Sequence, residues 1–296
     1  MPAVPAQLHV SILLAILVCS TPAHALLNGT PSTDFDMVGQ IVGGADGVLI
    51  APNWVLTAGH AATTGKMFSS GAGSAMIDAK FILPNYNFPG NDLALLHLSS
   101  AIENQPFTAL NLTYIEAGNI ADFSTVTLAN ASGNGNNQYV ETTLVNAYAH
   151  AGNYFVHWIV ADQSPDGRPI VQGGDSGSAL YLGLADTVAP VLGGIASAIC
   201  LTNKSCYVQP TAYRDWLDIT MMLYVPSNPD ETPRQSVQWV ETVSIPGGIS
   251  SMASSSVAAV PEPSTILLML SGLLLGWRKF RQQYQDALPR RINPGF

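Results

Sequence analysis

The chain has 296 residues, of which 47% are hydrophobic and 10% charged, and 11 Lys+Arg against 20 Asp+Glu leave a net charge of −9. The charge is uneven: residues 26–260 hold 6 basic and 18 acidic groups, whereas residues 261–296 hold 5 basic and 2 acidic. An acidic body excludes non-specific nucleic-acid binding, which needs Lys and Arg to neutralise phosphates; the low charge density argues against intrinsic disorder; and three cysteines are too few for a disulfide-framework miniprotein or a four-cysteine zinc site.

The chain opens with an apolar run, Ser11–Val18, followed by Thr21-Pro22-Ala23-His24-Ala25. An apolar core of this length with an Ala-x-Ala exit predicts a signal peptide over residues 1–25, cut by signal peptidase after Ala25 and taking Cys19 with it. No Lys or Arg precedes the apolar run, a departure from the usual signal pattern. From Leu26 to about Val225 the pattern is one of short β-branched or apolar runs broken by Gly, Asn and Pro. Strands are predicted at Val48–Ile50, Trp54–Thr57, Leu93–Leu98, Val126–Leu128, Tyr139–Val145, Tyr154–Val160 and Pro190–Ala196. Gly133–Asn137 reads as a loop. Thr211–Tyr224 reads as a helix with Thr211 as N-cap, because Tyr213, Trp216, Leu217, Thr220, Met221 and Tyr224 share one face. Residues 26–226 form the expected all-β body, a barrel or sandwich. Residues 227–260 are read as a linker, turn-rich at Pro226–Pro233 and Ser/Ala-rich at Ile249–Ala259, although Ser236–Ile245 has an unassigned strand-like composition. Residues 261–296 form a tail: Pro261-Glu262-Pro263, an apolar run Ile266–Trp277, then Arg278-Lys279-Phe280-Arg281. The apolar run is shorter than the ~20 residues of a stable span.

Three short segments carry chemistry. In Trp54-Val55-Leu56-Thr57-Ala58-Gly59-His60, an apolar strand runs through small residues into a histidine. In Asn91-Asp92-Leu93-Ala94-Leu95-Leu96, an acid stands at the mouth of an apolar strand, where it can be buried against a histidine. In Gln172-Gly173-Gly174-Asp175-Ser176-Gly177-Ser178, glycines flank a serine, so that successive backbone N–H groups can turn toward one point. Each segment alone also fits a structural histidine, a turn acid or a plain loop. Taken together, in the order His, Asp, Ser, they resemble the chymotrypsin/trypsin-like serine proteases. The likeness extends from about Leu26 to the helix start Tyr213-Arg214-Asp215-Trp216-Leu217.

That resemblance implies two packed antiparallel β-barrels of chymotrypsin type with a C-terminal helix and the site in the crevice between them. It implies catalytic His60, Asp92 and Ser176, an oxyanion hole from the N–H groups of Gly174 and Ser176, and a protein or peptide substrate, with no cofactor or metal. Ile41-Val42-Gly43-Gly44 looks like the family's mature N-terminus but lies too close to His60 to leave room for two strands. Leu26-Leu27-Asn28-Gly29-Thr30 matches that start better, so signal cleavage would free the Leu26 amine to pair with Asp175. The same pattern puts the specificity pocket at Ile170 (base), Ser197, Ile199 and Ser205, and predicts an apolar preference. Asp166 and Asp186 are the alternative acids should the count be displaced by a loop. Cys200 and Cys206 are expected to close a small disulfide loop on an oxidised exterior. His97, His150 and His157 are expected to be structural.

The order Pro-Glu-Pro, short apolar helix, basic end resembles the PEP-CTERM sorting signal of Gram-negative bacteria. It implies an exosortase-type sorting enzyme as a partner, transient membrane association through residues 261–296, and a location in the cell envelope, outer surface or extracellular matrix. The tail departs from the pattern by continuing through Arg290 and Arg291. The leading expectation is therefore an exported serine endopeptidase. The alternative is a protease-like binding module with little activity. An α/β-hydrolase is excluded by motif order, since that fold places Ser before Asp before His.

Overall fold

The computed structural model describes residues 26–103, 107–131, 137–186, 190–225, 235–245 and 248–251. The predicted signal peptide, the Gly133–Asn136 part of the predicted loop and the sorting tail lie outside the described residues.

Two closed barrels make up the body. The first is formed by β2 (Val38–Ile41), β3 (Ala45–Ala51), β4 (Trp54–Thr57), β5 (Met67–Ser70), β6 (Gly73–Ile82) and β7 (Ala94–Leu98), paired in the order β2-β3-β4-β7-β6-β5 and closed by β5 on β2. All pairs are antiparallel. Alternation drives the fold: along β6, Ala75 and Ile77 are buried while their neighbours Ser74, Met76 and Asp78 face water. β7 is buried throughout, as its unbroken Ala-Leu-Leu-His-Leu run predicts, and each of its leucines contributes about 2 kcal/mol by leaving water. The Ile-Val-Gly-Gly segment does leave room for two strands before His60, since β3 and β4 both fit there as short strands; Ile41 instead ends β2 and is buried in this barrel opposite Ala45.

The second barrel is formed by β9 (Thr125–Ala131), β10 (Asn137–Ala151), β11 (Tyr154–Ala161), β12 (Ala179–Leu182), β13 (Val191–Cys200) and β14 (Lys204–Val208). The order β12-β9-β10-β11-β14-β13 closes through the β12–β13 pairing. β1 (Thr30–Ser32) lies antiparallel on the start of β10. β10 runs 15 residues, well past the predicted Val145, because two bulges against β11 let the strand coil without breaking its ladder. Cys200 and Cys206 are disulfide-bonded across the β13–β14 hairpin.

Each barrel has its own apolar core, with Leu49, Phe68 and Leu96 in the first and Leu128, Ile159 and Leu180 in the second. A third layer joins them: Val38, Leu56 and Leu95 from the first barrel pack with Ala129, Val160 and Ile195 from the second. The helix α1 (Arg214–Leu223) adds Leu217 and Met221 to this layer. It is shorter than predicted. Residues Pro210–Tyr213 form a 3-10 turn, and Thr211 is not the N-cap; its hydroxyl donates to the Leu112 carbonyl at 2.9 Å.

The predicted linker needs correction. Val237, Trp239 and Val240 are buried, and β15 (Trp239–Val240) pairs parallel with β8 (Ala109–Asn111), which itself extends β13. The Gln235 amide exchanges hydrogen bonds with Asn53 of the first barrel at 2.8 and 2.6 Å, and the Trp239 indole donates to Asp218 on α1. The unassigned strand-like stretch is thus a strap on the body. Its composition announced a strand but not the partner, which lies more than 120 residues away. β16 (Thr242–Ile245) and β17 (Gly248–Ser251) follow as a hairpin. Among the described residues no helix is long and apolar enough to cross a membrane; the predicted apolar segment Ile266–Trp277 lies outside them.

Candidate active site

His60 leaves β4 on a 3-10 turn, Gly59–Ala61. Asp92 sits just before β7, which pairs with β4 in register Thr57↔Ala94, so the two strand ends deliver the residues side by side. The His60 backbone N–H donates to Asp92 Oδ1 at 2.8 Å, and His60 Nδ1 lies 2.8 Å from Asp92 Oδ2. The carboxylate therefore fixes both the backbone and the ring of the histidine. Asp92 is wholly buried; the His60 side chain is 29% exposed, open toward the crevice. Ser176 comes from the loop before β12, and its Oγ lies 2.8 Å from His60 Nε2.

Two glycines make the serine loop possible. Gly174 has φ +105°, a conformation that side chains disfavour. Gly177 has φ +90°, and a Cβ there would stand 2.0 Å from the Asp46 carbonyl oxygen. The loop is thereby pressed onto the first barrel, where the Asp46 N–H donates to the Ser176 carbonyl at 2.8 Å.

Asp92 has a third partner. The Ser197 hydroxyl donates to Oδ2 at 2.6 Å. Sequence reading assigned Ser197 to the pocket wall alone; nothing in the local sequence marks a hydroxyl 105 residues away as a partner of this acid. Tyr86 and Tyr213 stand around the same carboxylate. Burial pushes both phenols up, with lesser contributions from other negative groups that include Asp92. The Phe88 ring meets His60 edge-on at 5.2 Å.

A cavity of about 390 Å³ opens beside Ser176, lined by Phe88, Pro89, Trp158, Val171, Gln172 and the strip Ala196–Ile199. Of the four predicted pocket residues, Ser197 and Ile199 line it. Ile170 does not: it is 1% exposed and packs in the second-barrel core with Leu26 and Tyr207, so its neighbour Val171 takes the wall position. Ser205 also stands behind the wall, its hydroxyl accepting the Val171 N–H at 3.2 Å. Neither alternative acid reaches the cavity. Asp186 is exposed. Asp166 is held to about 2 by hydrogen bonds from Arg168 first and Ser164 second.

Asp175 is buried beside Ser176, with Oδ2 accepting the Gln172 N–H at 2.7 Å and Oδ1 the Asn130 amide at 2.8 Å. Leu26 is buried with Ile170 and Tyr207, and the Leu27 N–H donates to the Ile170 carbonyl at 2.9 Å. The other histidines have partners of their own. His97 Nδ1 lies 2.7 Å from Asp78 and the ring packs on Trp54 and Tyr224. His157 Nδ1 lies 2.9 Å from the Tyr114 hydroxyl, its pKa lowered by burial and then by His150.

Comparison with known proteins gives two family matches. The model described as Trypsin matches residues 30–217, well over half of the chain. The PEP-CTERM protein-sorting motif matches residues 259–282. No curated protein matches the chain.

Proposed function

The chain belongs to the trypsin family, and on that premise we propose that it is an exported serine endopeptidase in which Ser176, His60 and Asp92 hydrolyse peptide bonds through an acyl-enzyme. The carrying observation is the unbroken run of 2.8 Å contacts from Asp92 through His60 to Ser176. Ser176 Oγ attacks the scissile carbonyl carbon while His60 Nε2 takes its proton. Asp92 holds Nδ1 in the protonated tautomer and stabilises the imidazolium that forms. The N–H groups of Gly174 and Ser176 bind the developing oxyanion, an effect worth roughly 3–4 kcal/mol per donor in related sites. His60 then returns the proton to the leaving amine, and water repeats the sequence on the ester. A module kept only for binding has no need of all three groups, so a fluorophosphonate probe is the direct test. Covalent labelling at Ser176 is expected, and absence of labelling in folded protein overturns the proposal.

The cavity supports a preference for small or medium apolar residues before the scissile bond. Its wall is Val171, Ala196, Ala198, Ile199 and Trp158; the one acid along it, Asp175, is buried with its carboxylate oxygens bonded to Asn130 and Gln172, so a guanidinium would enter unpaired, and an unpaired buried cation is costly. Cleavage strictly after Arg or Lys in a peptide library would refute this. Cutting by signal peptidase before Leu26 would supply the α-amine that pairs with Asp175 and shapes the Gly173–Gly174 loop. The basic tail and sorting motif support recognition by an exosortase-type enzyme and transient membrane association through that segment before release to the envelope, outer surface or matrix. Deleting Pro261–Phe296 is expected to leave a soluble enzyme that still cleaves peptide.

A further inference from the structure

Beneath the Ser176 loop lies a second buried acid that the mechanism does not use. Asp46, on β3, is 1% exposed. Its backbone is already engaged: the N–H donates to Ser176 and the carbonyl accepts the Thr57 hydroxyl at 2.6 Å. Its carboxyl has one long contact, Oδ2 accepting the Ala131 N–H at 3.2 Å, while Oδ1 meets no hydrogen-bond donor. The adjacent residue on β9, Asn130, donates its amide to Asp175, so consecutive residues of one strand hold the two carboxylates together. In the same place one more buried acceptor, Asn130 Oδ1, has no hydrogen-bond partner, and the Ser178 and Tyr207 hydroxyls face each other. Burial first, then the Asp175 charge and last the Asp46 charge push the Tyr207 phenol far up, against a hydrogen bond with Ser178. Two acids and an unpaired amide oxygen, shut away from water, are a costly arrangement unless a cation with several donors enters.

The chain itself supplies one. Leu26 packs in the same core cluster as Tyr207 and Ile170, its neighbour Leu27 is bonded to Ile170, and β1 then runs along β10 at Asn137–Tyr139, where Gln138 pairs with Asn130. A cut before Leu26 creates an ammonium with three donors beside this cluster. We infer that Asp46 is the second carboxylate of the receptor for the Leu26 α-ammonium, a positioning residue that joins the new N-terminus to the backbone of Ser176. The inference rests on the reading that the chain is cut at Leu26. Burial and then the Asp175 charge raise the Asp46 pKa well above the ordinary carboxylate range, so the uncut pocket keeps a proton on Asp46 and carries one negative charge. When the ammonium enters, Asp46 releases that proton to solvent. One positive charge replaces another, and the pocket's net charge is unchanged. The groups facing Asp46 are Asp175 from the serine loop, Tyr207 from β14, Asn130 and Ala131 from β9, and Ser178.

The test uses the full chain beginning at Leu26, the same chain with one alanine added before Leu26, and Asp46→Asn in each. The readouts are the alkaline limb of kcat/KM and the pH dependence of chemical labelling of the Leu26 amine. Two carboxylates hold the amine protonated, so the wild-type amine is expected to titrate above the ~7.7–8.0 of a free α-amino group. Asp46→Asn is expected to move both readouts down by about one pH unit, and to leave the limb of the alanine-extended chain where it was. An unchanged limb and amine titration in Asp46→Asn overturns the inference while leaving the Leu26 reading intact. Full activity of the alanine-extended wild type brings down the Leu26 reading itself, and this inference with it. If Asp46→Asn does not fold, the wild-type amine titration decides alone: a value at or below that of a free α-amine overturns the inference.

Discussion

Asp92 and Asp46 both flank the Ser176 loop and are both shut off from water, Asp92 bonded to His60 and Asp46 to the Ser176 carbonyl. Asp92 accepts three hydrogen bonds from protein donors: the His60 backbone N–H, the His60 ring and the Ser197 hydroxyl. Asp46 accepts one long bond and faces another carboxylate. The chemical group is identical and the burial equal, so the donors decide. A carboxylate that accepts from the backbone and the ring of one histidine can orient that ring and balance its charge. One that faces an acid keeps its proton until a cation arrives. The site so combines an acid that serves the histidine with one whose charge is conditional.

The largest effect that separates these acids comes from the centre they share. Ser176→Ala is expected to lower kcat by on the order of 10⁶-fold, and His60→Ala about as much, because the triad members act as a unit. Near-normal turnover of either pure variant breaks the scheme. Next comes one substitution made at both acids. Asp92→Asn presents an amide where His60 needs an anion, leaves the ring in the wrong tautomer, and is expected to cost about 10⁴-fold in kcat. Asp46→Asn in the alanine-extended chain is expected to act on stability instead and in the opposite sense. A buried acid with a raised pKa favours the folded state below its unfolded pKa of 3.8 and disfavours it increasingly as pH rises above that value. The amide does not titrate, so this variant should gain stability over the parent from about pH 4 upward, measured as the pH dependence of the denaturant midpoint. A variant that loses stability across that range would make Asp46 a second anion like Asp92. The smallest effect is expected at Ser197→Ala, which removes one charge-assisted bond worth about 1.5–3 kcal/mol. The loss should fall on kcat, roughly ten- to a hundred-fold, with KM little changed.

The two acids also differ in what their local sequence carries. Asp92 stands in a local pattern, an acid at the mouth of an all-apolar strand, and its partner His60 stands in another. Asp46 sits in Gly43-Gly44-Ala45-Asp46-Gly47, which by composition is a turn. Nothing in its neighbours announces burial, because Ala131, Asp175 and Tyr207 are 85 or more residues away in the chain.

Sequence by itself determined what short range can encode. Alternating and unbroken apolar runs set the strands, the glycines around Ser176 set a loop that turns back on itself, the helical period set α1, and the order of three short segments set the site. The sorting motif at 259–282 is of the same kind, since it is recognised as linear chain. Tertiary structure alone decided the pairings made across the chain. Barrel closure turned Ile170 and Ser205 inward and put Val171 on the cavity. The β13 register brought Ser197 to Asp92. Docking on β8 made a strap of residues that composition had left in a linker. Each of these depends on which distant surface is left unpaired when the barrels close, and burial of that surface, rather than any local preference of the segment, selects its partner.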